Sequence, residues 1–132
     1  MNQVLTIMKY HQEFCNKETK VGELLYILKK YNFEEIYILN SDHKPIGIIH
    51  KDDIHLEELA KLNDPFDVNA EKLMKPISLV IKKDSTLLEC QNLMEKNRLE
   101  VLPVVDENGQ YLGVVKKRDL LKEIAPDLQY IY

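Results

Sequence analysis

The sequence predicts an α+β protein made of two tandem β-α-β-β-α repeats packed with pseudo-twofold symmetry, and three observations carry that expectation. Residues 6–54 superpose on 72–120 at a constant offset of 66 without a gap, so the chain is an internal duplication whose halves must share a fold. Each half holds one apolar stripe of helical period. Each also holds two short β-branched runs separated by turn formers, the pattern of a hairpin. Identical pairs across the offset include Met8/Met74, Lys9/Lys75, Glu34/Glu100, Gly47/Gly113, Lys51/Lys117 and Asp53/Asp119. Apolar pairs such as Ile27/Leu93, Phe33/Leu99, Ile36/Leu102 and Ile48/Val114 change side chain and keep character, as retained packing allows.

Taken in chain order, a short apolar segment opens each half as a strand, Phe14-Cys15 and Val80-Ile81. Val21, Leu24, Leu25 and Leu28 then recur at i, i+3, i+4 and i+7, predicting an amphipathic helix over about residues 20–31 and its counterpart over about 86–97. Thr86 and Glu89 have capping-box spacing; the first half has Lys20 at that place, so Thr19 is expected to cap instead. The runs 36–39 and 101–105 read as buried strands. Asn40 to Lys44 and Asp106 to Gln110 are turns leading into second strands, 46–49 and 112–115. A second helix is expected to start near Lys51 and Lys117. The repeats are placed at 1–60 and 72–132, with residues 61–71 as a linker broken at Asp64-Pro65.

A chain of 132 residues and 15.5 kDa has room for one domain or two small ones, which excludes large catalytic architectures. The 22 acidic and 18 basic side chains leave no cationic surplus, so nucleic acid is not an expected partner. Residues 1–6 lack a basic region followed by a long apolar stretch, and no window is long enough to span a bilayer; no membrane contact and a cytoplasmic location are expected. Cys15 and Cys90 lie in apolar segments and are expected to be reduced core thiols.

Three stretches carry a resemblance to a known family: Lys72-Leu73-Met74-Lys75-Pro76, the strand Leu102-Pro103-Val104-Val105-Asp106, and Gly113-Val114-Val115 leading to Arg118-Asp119-Leu120. The first half ends in a weaker version, Gly47 to Asp53. The repeat resembles the cystathionine β-synthase (CBS) domain, and the tandem resembles a Bateman module. The resemblance covers nearly the whole chain. It implies a regulatory, non-catalytic module that binds an adenosine compound (AMP, ADP, ATP or S-adenosylmethionine) in clefts between the repeats, needs no resident cofactor, and acts on an effector protein. The alternative is a ligand-free module for dimerisation or partner docking.

The family's site signature is a Gly, a Ser or Thr three residues on, and an Asp three further. By that resemblance Asp53 and Asp119 hold ribose hydroxyls, whereas the hydroxyl position is occupied by His50 in one half and Lys116 in the other. The resemblance further implies crossed pockets, Asp53 working with Ser78, Leu79 and Leu99, and Asp119 with Gln12, Glu13 and Phe33. Lysine can meet phosphate as a point charge; neutral histidine offers less. Glu34-Glu35 and Glu100 stand where a polyphosphate would be repelled, favouring a ligand with few negative charges. Asp53 and Asp119 also suit a first helical turn through the macrodipole alone. Lys116-Lys117-Arg118 reads equally as a solvated charge run.

Other chemistry finds little footing. His11 with Cys15, His43, and His50 with His55 do not assemble a set of three or four metal ligands, so no metal site is expected. Cys90 falls on the buried stripe, and neither a phosphate-cradling glycine loop nor a G-x-S-x-G elbow is present, so no catalytic residues are expected. Tyr130, Ile131 and Tyr132 after Pro126 form an apolar tip expected to pack on a second copy in a homodimer.

Overall fold

In the computed structural model, which describes residues 3–10, 12–61 and 64–124, each apolar stripe closes onto a sheet of its own half. Strand β1 (Lys9–Tyr10) is followed by β2 (Phe14–Cys15), helix α1 (Val21–Lys30), β3 (Glu35–Leu39), β4 (Pro45–His50) and the short helices α2 (Leu56–Leu59) and α3 (Ala70–Leu73). The second half contributes β5 (Lys75–Pro76), β6 (Ile81–Lys82), α4 (Leu87–Asn97), β7 (Val101–Val105), β8 (Tyr111–Lys116) and α5 (Lys117–Ile124). The aromatic tip at 130–132 and His11 lie outside the described residues.

Helix α1 turns Val21, Leu24 and Leu28 inward and leaves Tyr26, Lys29 and Lys30 outside. Each buried aliphatic side chain is worth about 1.5–3 kcal/mol, which a ten-residue helix needs because propensity alone would not hold it. Thr86 caps α4, its hydroxyl accepting the Glu89 amide at 3.1 Å. Thr19 does not cap α1. Its hydroxyl is committed to Asn16 at 3.2 Å, and the Val21 amide donates instead to the Val68 carbonyl at 2.9 Å. Both helices end the same way: Asn32 and Arg98 take left-handed geometry, so that Phe33 and Leu99 donate back to Leu28 and Met94.

The two hairpin turns repeat atom for atom. Asn40 Oδ1 accepts the amides of Asp42 and Lys44, and Asp106 Oδ1 accepts those of Asn108 and Gln110. His43 and Gly109 supply the positive φ that closes each turn.

The sheets run β2-β3-β4-β5 and β1-β8-β7-β6. In each, the strand before the helix pairs parallel with the strand after it, and the hairpin adds an antiparallel neighbour. The fourth strand comes from the other repeat. β1 pairs antiparallel with β8, Tyr10 opposite Gly113, while β5 pairs antiparallel with β4, Pro76 opposite Gly47. The compact units therefore cut across the two sequence repeats. One is Glu13–Ser78, and the other joins the chain up to Gln12 to the chain from Leu79 onward. The two-residue strands β1 and β5 are too short to show an alternating pattern, which hides them from sequence reading.

One further expectation is corrected. The second helix of the first half is a single 3-10 turn, Lys51–Asp53, separated from α2 by Ile54 in extended geometry, whereas α5 is continuous. Asp52, Ile54 and His55 are weaker helix formers than Arg118, Leu120 and Leu121 at the equivalent positions of α5. Between the repeats the described residues 64–70 are locally ordered. Asp64 caps a 3-10 turn at Pro65–Asp67, Val68 is buried with Val21 and Leu59, and Ala70 enters the first-half core.

Each unit has its own core. Cys15, Leu24, Leu28, Ile36, Ile38 and Ile49 fill one; Val4, Met8, Leu87, Cys90, Met94, Leu102, Val104, Val115 and Leu120 fill the other. The glycines facing the exchanged strands make the close approach possible. A Cβ on Gly113 would fall on the Lys9 carbonyl oxygen, which is backbone; one on Gly47 would fall on the Met74 side chain, which can swing away. Gly113→Ala should therefore cost about 2–3 kcal/mol of unfolding free energy and Gly47→Ala under about 1.5 kcal/mol, measured by urea denaturation. Equal losses would show that the β1 backbone yields as readily as the thioether.

Candidate functional site

The carboxylates singled out by the repeat follow the last strand of each hairpin at equivalent places. Gly47, His50 and Asp53 run along β4 into the 3-10 turn; Gly113, Lys116 and Asp119 run along β8 into the first turn of α5. Asp53, Asp119, His50 and Lys116 are all half-buried, which leaves each carboxylate reachable from solvent. The macrodipole account fits Asp119, on a helix of eight residues, better than Asp53, whose 3-10 turn stops after three.

Asp53 instead has a partner. Lys75, at the start of β5, reaches its carboxylate at 3.1 Å. Lys9 occupies the corresponding place on β1, yet among the described residues no ion pair joins it to Asp119. Lys51 pairs with Glu34 at 3.2 Å and donates its amide to the Glu34 carbonyl; Lys117 repeats the amide bond to Glu100 at 2.9 Å. The side chains of Lys117 and Glu100 do not pair. These lysines were visible as identical pairs across the repeat, and strand order alone assigns them to the carboxylates.

The acidic wall expected at Glu34-Glu35 is altered. Glu34 is answered by Lys51, and Glu35 is 7% exposed, directly opposite His50 in the β3–β4 register. In the second half, Val101 stands opposite Lys116.

The remaining candidates divide by unit. Asp53, His50, Ser78, Phe33 and Glu13 belong to the unit Glu13–Ser78; Asp119, Lys116, Gln12, Leu79 and Leu99 belong to the other. Gln12 is buried, and its backbone carbonyl accepts the Tyr111 hydroxyl at 3.1 Å. Leu79 and Leu99 pack against the second-half core. Phe33 packs against the first-half core and stacks on Tyr31 with ring centroids 5.3 Å apart. Ser78 is exposed. Among the described residues no group of three or more His, Cys, Asp or Glu side chains could hold a metal ion, and no helix is long and apolar enough to cross a membrane.

A family model described as the CBS domain matches residues 4–58 and again 70–126. An uncharacterized protein of Methanopyrus kandleri is 30% identical over 105 residues, covering 80% of this chain and 53% of its own length. The inosine-5'-monophosphate dehydrogenase of Methanocaldococcus jannaschii is 29% identical over 103 residues, 77% of this chain and 19% of the enzyme. The chain thus spans about half the length of the first relative and about a fifth of the second.

Among solved structures, a CBS domain-containing protein of unknown function from Bacillus anthracis superposes with a TM-score of 0.81 at 19% identity, over 96% of this chain and 95% of that one. CBSX2 of Arabidopsis thaliana in complex with AMP gives 0.79 at 18% identity, over 96% and 99%. The cytosolic domain of the Mg2+ channel MgtE in complex with ATP gives 0.77 at 23% identity, over 93% and 49%. At these identities the likeness is one of fold.

The thiols considered as nucleophiles are both buried, Cys15 in the first-half core and Cys90 in the second. Burial pushes each from 9.0 up to about 11, Thr19 partly opposing the rise at Cys15 while Glu23 and Glu13 add to it. At about pH 8 both should react with an alkylating reagent far more slowly than in the urea-unfolded chain. Because the unfolded chain ionises its thiols first, this contribution to stability is whole below pH 9.0 and is lost as pH rises toward about 11. A pH series of urea midpoints checks the sign; a midpoint that climbs over that range contradicts it.

Proposed function

We propose, from the premise that the chain belongs to the CBS domain family, that it is a non-catalytic regulatory module binding an adenosine-containing ligand of the AMP or S-adenosylmethionine type. One observation carries this reading: both halves present a half-buried carboxylate, Asp53 and Asp119, at the same place, immediately beyond the strand that carries Gly47 or Gly113. A carboxylate accepts two hydrogen bonds from a vicinal diol such as a ribose edge, and neither position is consumed by the core. Family members solved with AMP or ATP support the ligand class.

The roles follow residue by residue. Asp119 and Asp53 accept the ribose hydroxyls. Lys116 meets phosphate as a point charge, while His50 contributes a ring nitrogen. Gln12, Phe33, Ser78, Leu79 and Leu99 supply the polar and apolar surroundings of the base. Asp119 is the better acceptor, since Asp53 must first release Lys75, a pair of two partly exposed groups that costs under about 1 kcal/mol to break. A second copy of the chain and a regulated effector protein are the partners this reading entails.

Calorimetry of the full chain with AMP, ATP and S-adenosylmethionine tests the proposal. At least one should bind, and Asp119→Ala should weaken it about five- to 150-fold, the worth of a hydrogen bond to a charged group. No heat and no thermal shift from any of the three would favour the assembly reading, in which the carboxylates serve only the local fold.

A further inference from the structure

The two carboxylate turns follow equivalent strands of the repeat and are opposite in charge. Around Asp53 the residues brought together by the hairpin and by β5 are Glu34, Glu35, His50, Lys51, Asp52 and Lys75: four carboxyl groups, Asp53 included, against two lysines. The same positions around Asp119 hold Glu100, Val101, Lys116, Lys117, Arg118 and Lys9: two carboxyl groups, Asp119 included, against four cations.

Ion pairing sharpens the contrast. In the first half both lysines are spent, Lys51 on Glu34 and Lys75 on Asp53. In the second half Lys9, Lys116, Lys117 and Arg118 make no ion pair among the described residues. The cross-strand neighbour reinforces this, because buried Glu35 faces His50 whereas uncharged Val101 faces Lys116.

We infer that the two turns divide adenosine-type ligands by charge: the Asp119 turn takes a nucleoside bearing phosphate, and the Asp53 turn takes one without phosphate, uncharged or cationic at its 5′ end. This rests on the nucleoside reading proposed above and adds the ligand class of each turn. Like charges repel a phosphate from the first turn, and uncompensated cations attract it to the second. The duplication thus keeps the strand order and the ribose carboxylate while the charged side chains around them set selectivity.

Calorimetry with adenosine, AMP and S-adenosylmethionine on the full chain tests this inference. Wild type should bind AMP at least about tenfold more tightly than adenosine through the Asp119 turn, the gap narrowing with added salt. Lys116→His and Arg118→Asp each install the first-half residue at a solvent-reachable position, and each should cut that preference about tenfold while adenosine affinity changes little. Asp53→Ala should remove binding of adenosine and S-adenosylmethionine at the first turn and leave the AMP preference to the second. Preference for AMP that disappears with Asp53→Ala, or survives both charge substitutions, overturns the division by charge alone. No binding of any compound to wild type overturns the nucleoside reading and the inference with it. Thermal melts of each variant confirm that it is folded.

Discussion

Each four-stranded sheet depends on a strand that its own repeat does not supply. Lys9–Tyr10 completes the β8 edge, and Lys75–Pro76 completes the β4 edge. An open edge beside a buried hairpin strand would leave backbone donors and acceptors facing any passing chain. The arm ahead of β1 does more than pair: Val4 and Met8 are core residues of the second-half unit, and Val4 and Leu5 donate backbone bonds to Ser85 and Lys83 at 2.9 Å. The arm cannot be removed without opening that core. Gly113 is the point where this constraint is tightest, since the approaching Lys9 backbone leaves no space for a side chain.

The same exchange sets the electrostatics of the carboxylate turns. A strand ends within reach of each turn and brings a lysine, Lys75 to Asp53 and Lys9 to the corresponding place beside β8. Local sequence around Asp53 contains no hint of Lys75, because the two lie on strands that meet only through the crossover. A candidate ribose acceptor is therefore already engaged in one half and available in the other, although both follow equivalent strands.

Divergence after duplication has followed burial. The core pairs Leu24/Cys90, Leu28/Met94, Ile36/Leu102 and Ile49/Val115 remain apolar, because a polar replacement there would leave unmet hydrogen-bonding groups in a close-packed interior. The turn-forming atoms of Asn40 and Asp106 are retained as well, each accepting two amides of its own hairpin turn. Exposed positions carry no such restraint. Exposed Asp52 corresponds to exposed Arg118, and half-buried His50 to half-buried Lys116. Surface charge is the property that two copies of one fold can vary most cheaply.

By itself the sequence determined the duplication, both amphipathic helices, both hairpins with their turns, and the equivalence of Asp53 with Asp119, because each of these is written in contacts between residues close along the chain or in the repeat itself. It did not reveal that Thr19 is held by Asn16, that the second helix of the first half breaks at Ile54, or that Val68 and Ala70 belong to a core. Those depend on competition among partners, which periodicity does not record. Only the tertiary structure decided which strand completes which sheet and which lysine meets which carboxylate. Two-residue strands have no pattern of their own, and their pairing is chosen by the edge they find rather than by the residues they contain.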